Sequence, residues 1–327
     1  MMDVFEKNIL ELNRQLTLKA ISFGNLEKVR NAKPDSIFII GMGGSGIVGL
    51  LLQNLTKDVS IKIPVITWND YGLPAEALAK AGYYHRPLLI FVSFSGNTQE
   101  TLDGFAKAKS HKLKAIVSGG GKLLSLAKKQ KIAFATFEKN SLAPRQANGL
   151  MFYGTLGLLK TALPTTKIIE LSSKINPADY RLISKKIASQ IKGKVAVIYS
   201  TIPNRHLGYL WKIHLNEAGK NLAFSNVIPE MHHNEIVSFE TKPKNIIAIL
   251  LTAKNDSVIH KTRFQITKKV LNKYQIPSIH IFVNGKDNLE RAFNTIANAQ
   301  WCAYYLAKSK GLDPLETKTI DFIKSLL

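Results

Sequence analysis

The stretch "FIIGMGGSGIVG", residues 38–49, indicates how the first part of this chain folds. It opens with apolar residues typical of a buried strand, and five of the seven positions from Gly41 to Ile47 are then Gly or Ser. A glycine turn between a strand and a helix presents backbone N–H groups and the positive end of the helix dipole. Both attract negative charge, so the pattern predicts a strand, an anion-binding turn and a helix.

Apolar runs and helical patterns alternate through the rest of the first half. Short loops separate them, an order typical of a parallel sheet that helices cover on both faces. The second of these runs is followed by a Gly-Leu-Pro turn and a predicted helix over 75–82. The predicted strands lie at 37–43, 63–70, 87–96, 113–121 and 132–138.

A second series of the same kind begins after residues 164–180. This segment is polar and contains two prolines, which indicates a linker between domains. We therefore predict two domains, 1–163 and 164–327, each an α/β fold with a doubly wound, flavodoxin-like parallel sheet. Their similar size and element order predict a duplicated architecture. The strands predicted in the second series lie at 195–200, 246–253 and 278–284.

The composition is strongly basic, with 45 Lys and Arg against 23 Asp and Glu and a formal net charge of +22 in 327 residues. The lysines are scattered and form no basic tail, so we expect no nucleic-acid partner. A basic surface also attracts small anionic substrates, and surface composition alone is a third explanation of the charge.

The N-terminal segment, the apolar stretches and the cysteine content of the sequence bear on where the protein is located. Residues 1–16 lack the apolar run of a signal peptide, and no apolar stretch reaches the roughly 18 residues of a membrane helix. The single cysteine, Cys302, excludes an intramolecular disulfide and suits a reducing compartment. We expect a cytoplasmic protein with no membrane partner.

A second loop, "SFSGNTQET" at 93–101, follows the third predicted strand. Hydroxyl groups there can donate to phosphate oxygens, and loops at the carboxyl ends of neighbouring parallel strands bind one ligand together. The first loop also fits the G-x-G-x-x-G template of dinucleotide sites, with Asp70 as the acidic residue such a site needs. A nicotinamide cofactor therefore stays an alternative on these residues alone.

Taken together, the two loops resemble those of the sugar isomerase (SIS) domain, a doubly wound module that binds phosphosugars. Four further motifs narrow the resemblance to the bifunctional phosphoglucose/phosphomannose isomerase family, which has two SIS domains per chain. The resemblance runs from about residue 33 to residue 327. The four motifs are "APRQANGL" (143–150), "NEAGK" (216–220), "PEMHHNEI" (229–236) and the closing "DFIKSLL" (321–327).

The resemblance implies the site residues. It places Glu217 as the catalytic base, His233 as the ring-opening histidine, and Arg145 and Lys324 beside them. The chain departs from the family at Ala218-Gly219, where the family usually reads Asn-Ala. The implied phosphate-binding residues are Gly43, Gly44 and Ser45 of the first loop and Ser93, Ser95 and Thr98 of the second.

Aldose–ketose isomerisation explains why these residue types occur together. A histidine side chain titrates in the range needed to open the sugar ring, so His233 is the candidate for this step, and Lys324 can assist as a donor. Glu217 would carry a proton between C1 and C2 through a cis-enediol, whose negative charge Arg145 would stabilise. This chemistry needs no metal and no redox cofactor. The predicted reaction interconverts fructose 6-phosphate with glucose 6-phosphate and mannose 6-phosphate.

In related isomerases the corresponding histidine reaches the active site from the neighbouring subunit. The resemblance therefore implies a homodimer whose active site is shared between the two subunits.

Two alternatives remain at this point. His214, Glu217, His232 and His233 would form a metal site if they converged, because the first pair has helical i, i+3 spacing. A non-catalytic SIS protein that senses phosphosugars would need the hydroxyl loops but not the set of proton-transfer residues. At the end of the chain, Asp313 is predicted to cap a helix that begins at Pro314.

Overall fold

The computed structural model describes residues 2–74, 84–163 and 165–326, which form two compact units. The first unit contains residues 11–175 with 287–289. The second contains residues 2–10, 176–286 and 290–326. The predicted helix over 75–82 and Pro164 of the predicted linker lie outside the described residues. Whether 1–163 and 164–327 are separate domains stays a prediction.

Strands and helices are numbered here in chain order. The strands are β1 (Ser22–Gly24), β2 (Ser36–Ile40), β3 (Val65–Trp68), β4 (Pro87–Ser93), β5 (Lys114–Ser118), β6 (Ala133–Thr136), β7 (Val195–Thr201), β8 (Ala223–Ile228), β9 (Ile246–Ala253) and β10 (Ser278–Val283). The α-helices are α1 (Val4–Leu10), α2 (Glu27–Arg30), α3 (Gly43–Asn54), α4 (Gln99–Lys107), α5 (Gly121–Lys129), α6 (Asn148–Ala162), α7 (Arg181–Ile191), α8 (Arg205–Glu217), α9 (Val258–Lys273), α10 (Asn288–Ser309) and α11 (Lys318–Ser325).

The first unit contains a sheet with the strand order β1-β6-β5-β4-β2-β3. Only β1 runs antiparallel to its neighbour; the five strands from β2 to β6 are parallel. In chain order these five strands have the flavodoxin-like arrangement 2-1-3-4-5. Every residue of β2, β4 and β5 is buried, which is why the central residues of each strand are apolar.

Helices cover both faces of this sheet. Phe38 and Phe91 point to one face, where they pack with Phe105 of α4 and with α5. Residues next to them along the strands point to the opposite face, because side chains alternate along a strand. There Gly49 of α3 lies against Ile39, close enough that an added Cβ would be 3.0 Å from the Ile39 Cβ. The first unit is thus a doubly wound α/β fold.

The second unit contains a parallel sheet with the order β10-β9-β7-β8. In chain order this is 2-1-3-4, the same order as the first four parallel strands of the first sheet. On one side Phe264 and Leu271 of α9 pack with Tyr199 of β7 and Leu250 of β9. The amino-terminal helix belongs to this unit, where the Phe5 ring stacks on Tyr304 with centroids 6.1 Å apart.

Some elements differ from the prediction. Strands β1 and β8 are not predicted by the sequence, and both lie at sheet edges with exposed residues. The last helix begins at Lys318 rather than at Pro314. The Asp313 carboxylate does accept the Leu315 N–H at 2.8 Å, as a capping residue would, but the chain there forms a turn and not a helix. Within the described residues, the search for a helix both long and apolar enough to span a membrane finds none.

Candidate active site

The first loop joins β2 to α3 and depends on glycine. Gly43 has a φ of +51°, a backbone conformation that residues other than glycine rarely adopt. Gly44 packs against the 3₁₀ turn Pro144–Gln146, so that an added Cβ would lie 2.9 Å from the Arg145 backbone nitrogen. The Asn148 side-chain amide also donates to the Gly44 carbonyl at 3.1 Å. The motif around Arg145 is therefore built onto this loop.

The second loop joins β4 to α4 and is ordered by its own hydroxyl groups. Ser93 Oγ accepts the Gly96 N–H at 3.0 Å and lies 2.9 Å from Thr98 Oγ1. Ser95 Oγ accepts the Asn97 N–H at 3.1 Å. An accepted bond uses an oxygen lone pair, so the Ser95 hydroxyl hydrogen can still be donated to a phosphate oxygen.

A hydrogen bond joins the two loops. The Phe94 N–H donates to Ser45 Oγ at 3.1 Å, and Ser45 is only 5% exposed. Ser45 Oγ also lies 3.4 Å from the Met151 sulfur of α6. The residues predicted to bind phosphate thus lie side by side at the carboxyl ends of the adjacent strands β2 and β4.

Arg145 is a buried cation of the first unit and belongs to the 3₁₀ turn beside the first loop. It is 1% exposed, and its turn is held to the preceding chain by the Gln15 side chain, which donates to the Gln146 carbonyl at 2.9 Å. Arginine stays protonated even when buried, so this position supplies a fixed positive charge next to the first loop.

Glu217 belongs to the second unit and is the last residue of α8. Lys220 follows with a left-handed φ of +49°, and the Asn221 N–H bonds back to the Leu215 carbonyl at 2.9 Å. This bond reaches back six residues, one more than in the Schellman pattern, so α8 ends in a wider turn. The Lys220 ammonium donates to the Glu217 carbonyl at 2.7 Å and also to the carbonyl of Glu316, just before α11.

A second lysine also stabilises this helix end. Lys310 Nζ donates to the Gly219 and Lys220 carbonyls at 3.2 and 2.9 Å and to Asn221 Oδ1 at 3.0 Å. Burial, and then the charge of Lys192, lowers the pKa of Lys310. The sequence analysis missed Lys220 and Lys310 as supports of Glu217; a basic residue after a helix end was the available signal.

The departure at Ala218-Gly219 has a packing reason. Ala218 is fully buried in a cluster with Trp301 and Ala303 of α10. A Cβ on Gly219 would lie 2.8 Å from the Leu215 carbonyl oxygen and 3.3 Å from the Ala303 Cα. Small residues therefore allow the end of α8 to approach α10 closely.

The adjacent histidines His232 and His233 have different environments. His232 Nδ1 accepts from Arg263 at 3.1 Å and its Nε2 lies 2.7 Å from Thr267 Oγ1, both on α9. Burial, followed by the charges of Arg263 and His233, lowers the pKa of His232. His233 is exposed at the end of the 3₁₀ turn Glu230–His233. His232 therefore anchors the turn to α9, whereas His233 is exposed to solvent.

Lys324 lies on α11, the last helix, and no residue of that helix is buried. Several large apolar side chains of α11 are exposed with it, among them Phe322 at 63% and Ile323 at 53%. Lys324, Glu217 and His233 all belong to the second unit, whereas Arg145 and both loops belong to the first.

The residues of the metal alternative do not group in the second unit. His214 is completely buried within α8, and His232 is held by α9. In residues 2–74, 84–163 and 165–326, no three His, Cys, Asp or Glu side chains are placed to hold a metal ion together. Asp70, the acidic residue of the nicotinamide alternative, is exposed and accepts the N–H of Tyr71 at 2.7 Å.

Comparison with known proteins agrees with this fold. Residues 183–327 match the family model of the bacterial phospho-glucose isomerase C-terminal SIS domain. A putative phosphosugar isomerase from Clostridium difficile 630 has a similar structure, with a TM-score of 0.69 over 100% of this chain and 99% of that one at 14% identity. The fold is that of sugar isomerase (SIS) proteins.

Two curated relatives identify the family. A bifunctional phosphoglucose/phosphomannose isomerase from Aquifex aeolicus is 32% identical over 296 residues, covering 89% of this chain and 90% of the relative. One from Caldicellulosiruptor bescii is 33% identical over 313 residues, covering 90% and 89%. The chain belongs to the bifunctional phosphoglucose/phosphomannose isomerase family and is an isomerase. The nicotinamide alternative is therefore set aside.

Proposed function

We propose that this protein interconverts fructose 6-phosphate with both glucose 6-phosphate and mannose 6-phosphate without a metal ion. The observation that carries the proposal is the hydrogen bond from the Phe94 N–H to Ser45 Oγ. It joins two hydroxyl-bearing loops beside the buried Arg145, in a chain of this family. The names of the Aquifex and Caldicellulosiruptor relatives supply the two aldoses.

The proposed architecture is a duplication. An N-terminal SIS domain, 1–163, would carry both phosphate loops, and a C-terminal SIS domain, 164–327, would carry Glu217, His233 and Lys324. The shared strand order of the two sheets supports this division. We further propose a cytoplasmic homodimer.

In this proposal the phosphate group of the sugar lies between the two loops. The hydroxyls of Ser45, Ser93, Ser95 and Thr98 and the first turn of α3, at Gly43 and Gly44, are its donors. Helix α4 begins at Gln99, directly after the second loop, so the positive ends of two helices face the same phosphate. Binding the phosphate fixes the sugar and leaves C1 and C2 for the proton-transfer groups.

The proposed reaction has two proton-transfer steps. His233 takes the proton of the anomeric hydroxyl while a proton reaches the ring oxygen, with Lys324 as the assisting donor, and the C1–O5 bond breaks. Glu217 then removes the proton from C2 of the aldose and returns it to C1, while the hydroxyl proton on O2 is transferred to the oxygen at C1 as the C2 carbonyl forms. Arg145 stabilises the negative charge of the enediol.

A single base can serve both epimers. Glucose 6-phosphate and mannose 6-phosphate differ only at C2 and give the same ketose. If the open-chain sugar rotates about the C2–C3 bond, the C2 proton of either epimer can be presented to Glu217.

The deciding experiment measures both activities on the purified chain with excess EDTA. Turnover of fructose 6-phosphate to glucose 6-phosphate and to mannose 6-phosphate, unchanged by the chelator, is the expected result. Loss of turnover on chelation would reveal a metal enzyme. Tight binding of the phosphosugars without turnover would instead reveal a sensor. The Ser125→Ala variant, altered on the exposed face of α5, is the matched control.

A further inference from the structure

The carboxylate of Asp256 is buried between the ends of two strands of the second sheet. Asp256 is 6% exposed, and its Oδ1 accepts from the Thr201 hydroxyl at 2.8 Å and from the Asn204 side-chain amide at 2.8 Å. Its Oδ2 accepts the Ala253 N–H at 2.7 Å. Thr201 and Ala253 are the last residues of β7 and β9, so three donors from two strand ends converge on one carboxylate.

These strand ends correspond in topology to the two phosphate loops of the first unit. β7 and β9 are adjacent parallel strands, as β2 and β4 are. In chain order β7 and β2 are the first parallel strands of their units, and β9 and β4 are the third. In both units each of these strand ends leads through a short loop or turn into an α-helix. In the first unit these helices are α3 and α4, and in the second they are α8 and α9.

The loops differ in one respect that decides what they can hold. The first unit's loops, 41–45 and 93–98, contain no acidic residue. Asn97 directly precedes Thr98, the N-cap residue of α4, and Asp256 directly precedes Ser257, the N-cap residue of α9. Asp256 thus places a negative charge where the first unit has a neutral amide.

We propose that the Asp256 carboxylate fills the anion site of the second unit, as an internal substitute for the phosphate group that the first unit binds. The hydroxyl, amide and backbone N–H that would recognise an external anion are all used by this side chain. Each chain then binds one phosphosugar rather than two. The site is latent: removing the carboxylate would leave a buried, donor-lined cavity that accepts a small carboxylate or phosphate.

The test measures thermal unfolding of the full chain with the Asp256→Ala substitution. The Thr201 hydroxyl and the Ala253 N–H lose their acceptor, and the Asn204 amide loses one of three. We therefore expect the unfolding midpoint to fall by roughly 5–10 °C. Sodium formate at about 50 mM should restore at least half of that loss, since a ligand that binds only the folded state stabilises it. Sodium chloride at the same ionic strength should not.

Two variants serve as controls. Asp256→Asn keeps the cavity filled, so its midpoint should fall without recovery in formate. Asp313→Ala removes an exposed carboxylate that accepts the Leu315 N–H at 2.8 Å, and should show neither effect. If Asp256→Ala does not fold in sodium chloride, the test is whether sodium formate restores the circular dichroism spectrum of the folded protein. A loss no larger than that of Asp313→Ala, or equal recovery in chloride, overturns the proposal.

The inference that each chain binds one phosphosugar rests on the proposed function and is tested by a separate measurement. Calorimetric titration of the wild type with fructose 6-phosphate should give one site per chain, and two sites would overturn the inference. An absence of any binding, with formate recovery intact, would reject the proposed function and leave the assignment of Asp256 standing.

Discussion

The phenol hydroxyl of Tyr199, on β7, donates to Oε2 of Glu235 at 3.0 Å. Glu235 lies two residues beyond His233, and its other carboxylate oxygen accepts from the side-chain amide of Asn226 on β8. Burial, and then the charge of Glu235, raises the pKa of Tyr199, so the phenol keeps its proton and remains a donor. The chain that follows His233 is therefore fixed to two strands of the second sheet.

Tyr199→Phe tests whether this contact positions His233. The variant removes one of the two side chains that hold the Glu235 carboxylate. We expect kcat per folded molecule to fall about tenfold, with little change in KM, because the scaffold must position the proposed ring-opening group. The measurement is steady-state kinetics with glucose 6-phosphate. Tyr209→Phe, on the exposed face of α8, should match the wild type. A lower unfolding midpoint with unchanged kcat would assign Tyr199 a purely structural role.

Glu217→Gln keeps the shape of the proposed base and removes its ability to accept a proton. We expect isomerisation to fall by about 10² or more, while the dissociation constant for fructose 6-phosphate changes little. Glu316→Gln is the matched control, because that side chain is exposed and pairs with Lys318 at 2.9 Å. A loss of less than about tenfold would show that another group is the base.

Mixing two inactive variants tests the proposed sharing of His233 between subunits. Homodimers of Glu217→Gln and of His233→Ala are each expected to be inactive. After subunit exchange, random pairing gives half heterodimers with one intact site of two, so up to about a quarter of wild-type activity should return. Mass spectrometry confirms the exchange. Activity that stays at the level of the separate variants, despite exchange, would place both residues in one subunit's site.

Ser45→Ala removes the acceptor that joins the two loops. The Phe94 N–H would lose its partner in a buried place, which costs about 1–3 kcal/mol. We expect fructose 6-phosphate to bind at least about tenfold more weakly, because both the loop junction and one proposed phosphate donor are lost. Calorimetric titration measures this, with Ser125→Ala as the surface control. Unchanged affinity would remove Ser45 from the phosphate site.

His206 predicts a pH dependence of stability. Burial, then the charges of Arg205 and Arg291, lowers its pKa to about 3. Below pH 6.5 the unfolded chain binds a proton there that the folded chain does not, so the free energy of unfolding falls as the pH falls. The contribution is about 1.4 kcal/mol per pH unit between roughly pH 6 and 4.

Denaturant titrations at several pH values check this. His206→Gln should flatten the dependence by about that slope, and His85→Gln, an exposed histidine, should leave it unchanged. Equal slopes in the wild type and His206→Gln would contradict the assignment.

The central strands were predictable because the protein buries them completely. The centres of β2, β4 and β5 are short apolar runs bounded by loop residues, which is typical of buried parallel strands. Strand β8 was not predictable, since it lies at a sheet edge and mixes buried residues with an exposed Phe224. An edge strand has no requirement for continuous burial, so its sequence resembles that of a loop.

The loop residues of the candidate site were predictable because a glycine turn and its hydroxyl groups are local in sequence. The distant residues that stabilise the local structure around the candidate residues were not predictable. Lys310 reaches the end of α8 across about ninety residues, and Asp256 reaches Thr201 across 55. Such contacts depend on which strands become neighbours, which no local pattern specifies.

The exposure of α11 has a thermodynamic consequence. A helix of eight residues is marginal in water without partners, and this one buries none of its side chains. Lys324 therefore stands on a segment whose helical population is sensitive to temperature. A partner that orders this helix must offset the conformational entropy that its two turns lose on ordering. If Lys324 assists ring opening as proposed, its contribution to the rate should weaken on warming, before the two sheets begin to unfold.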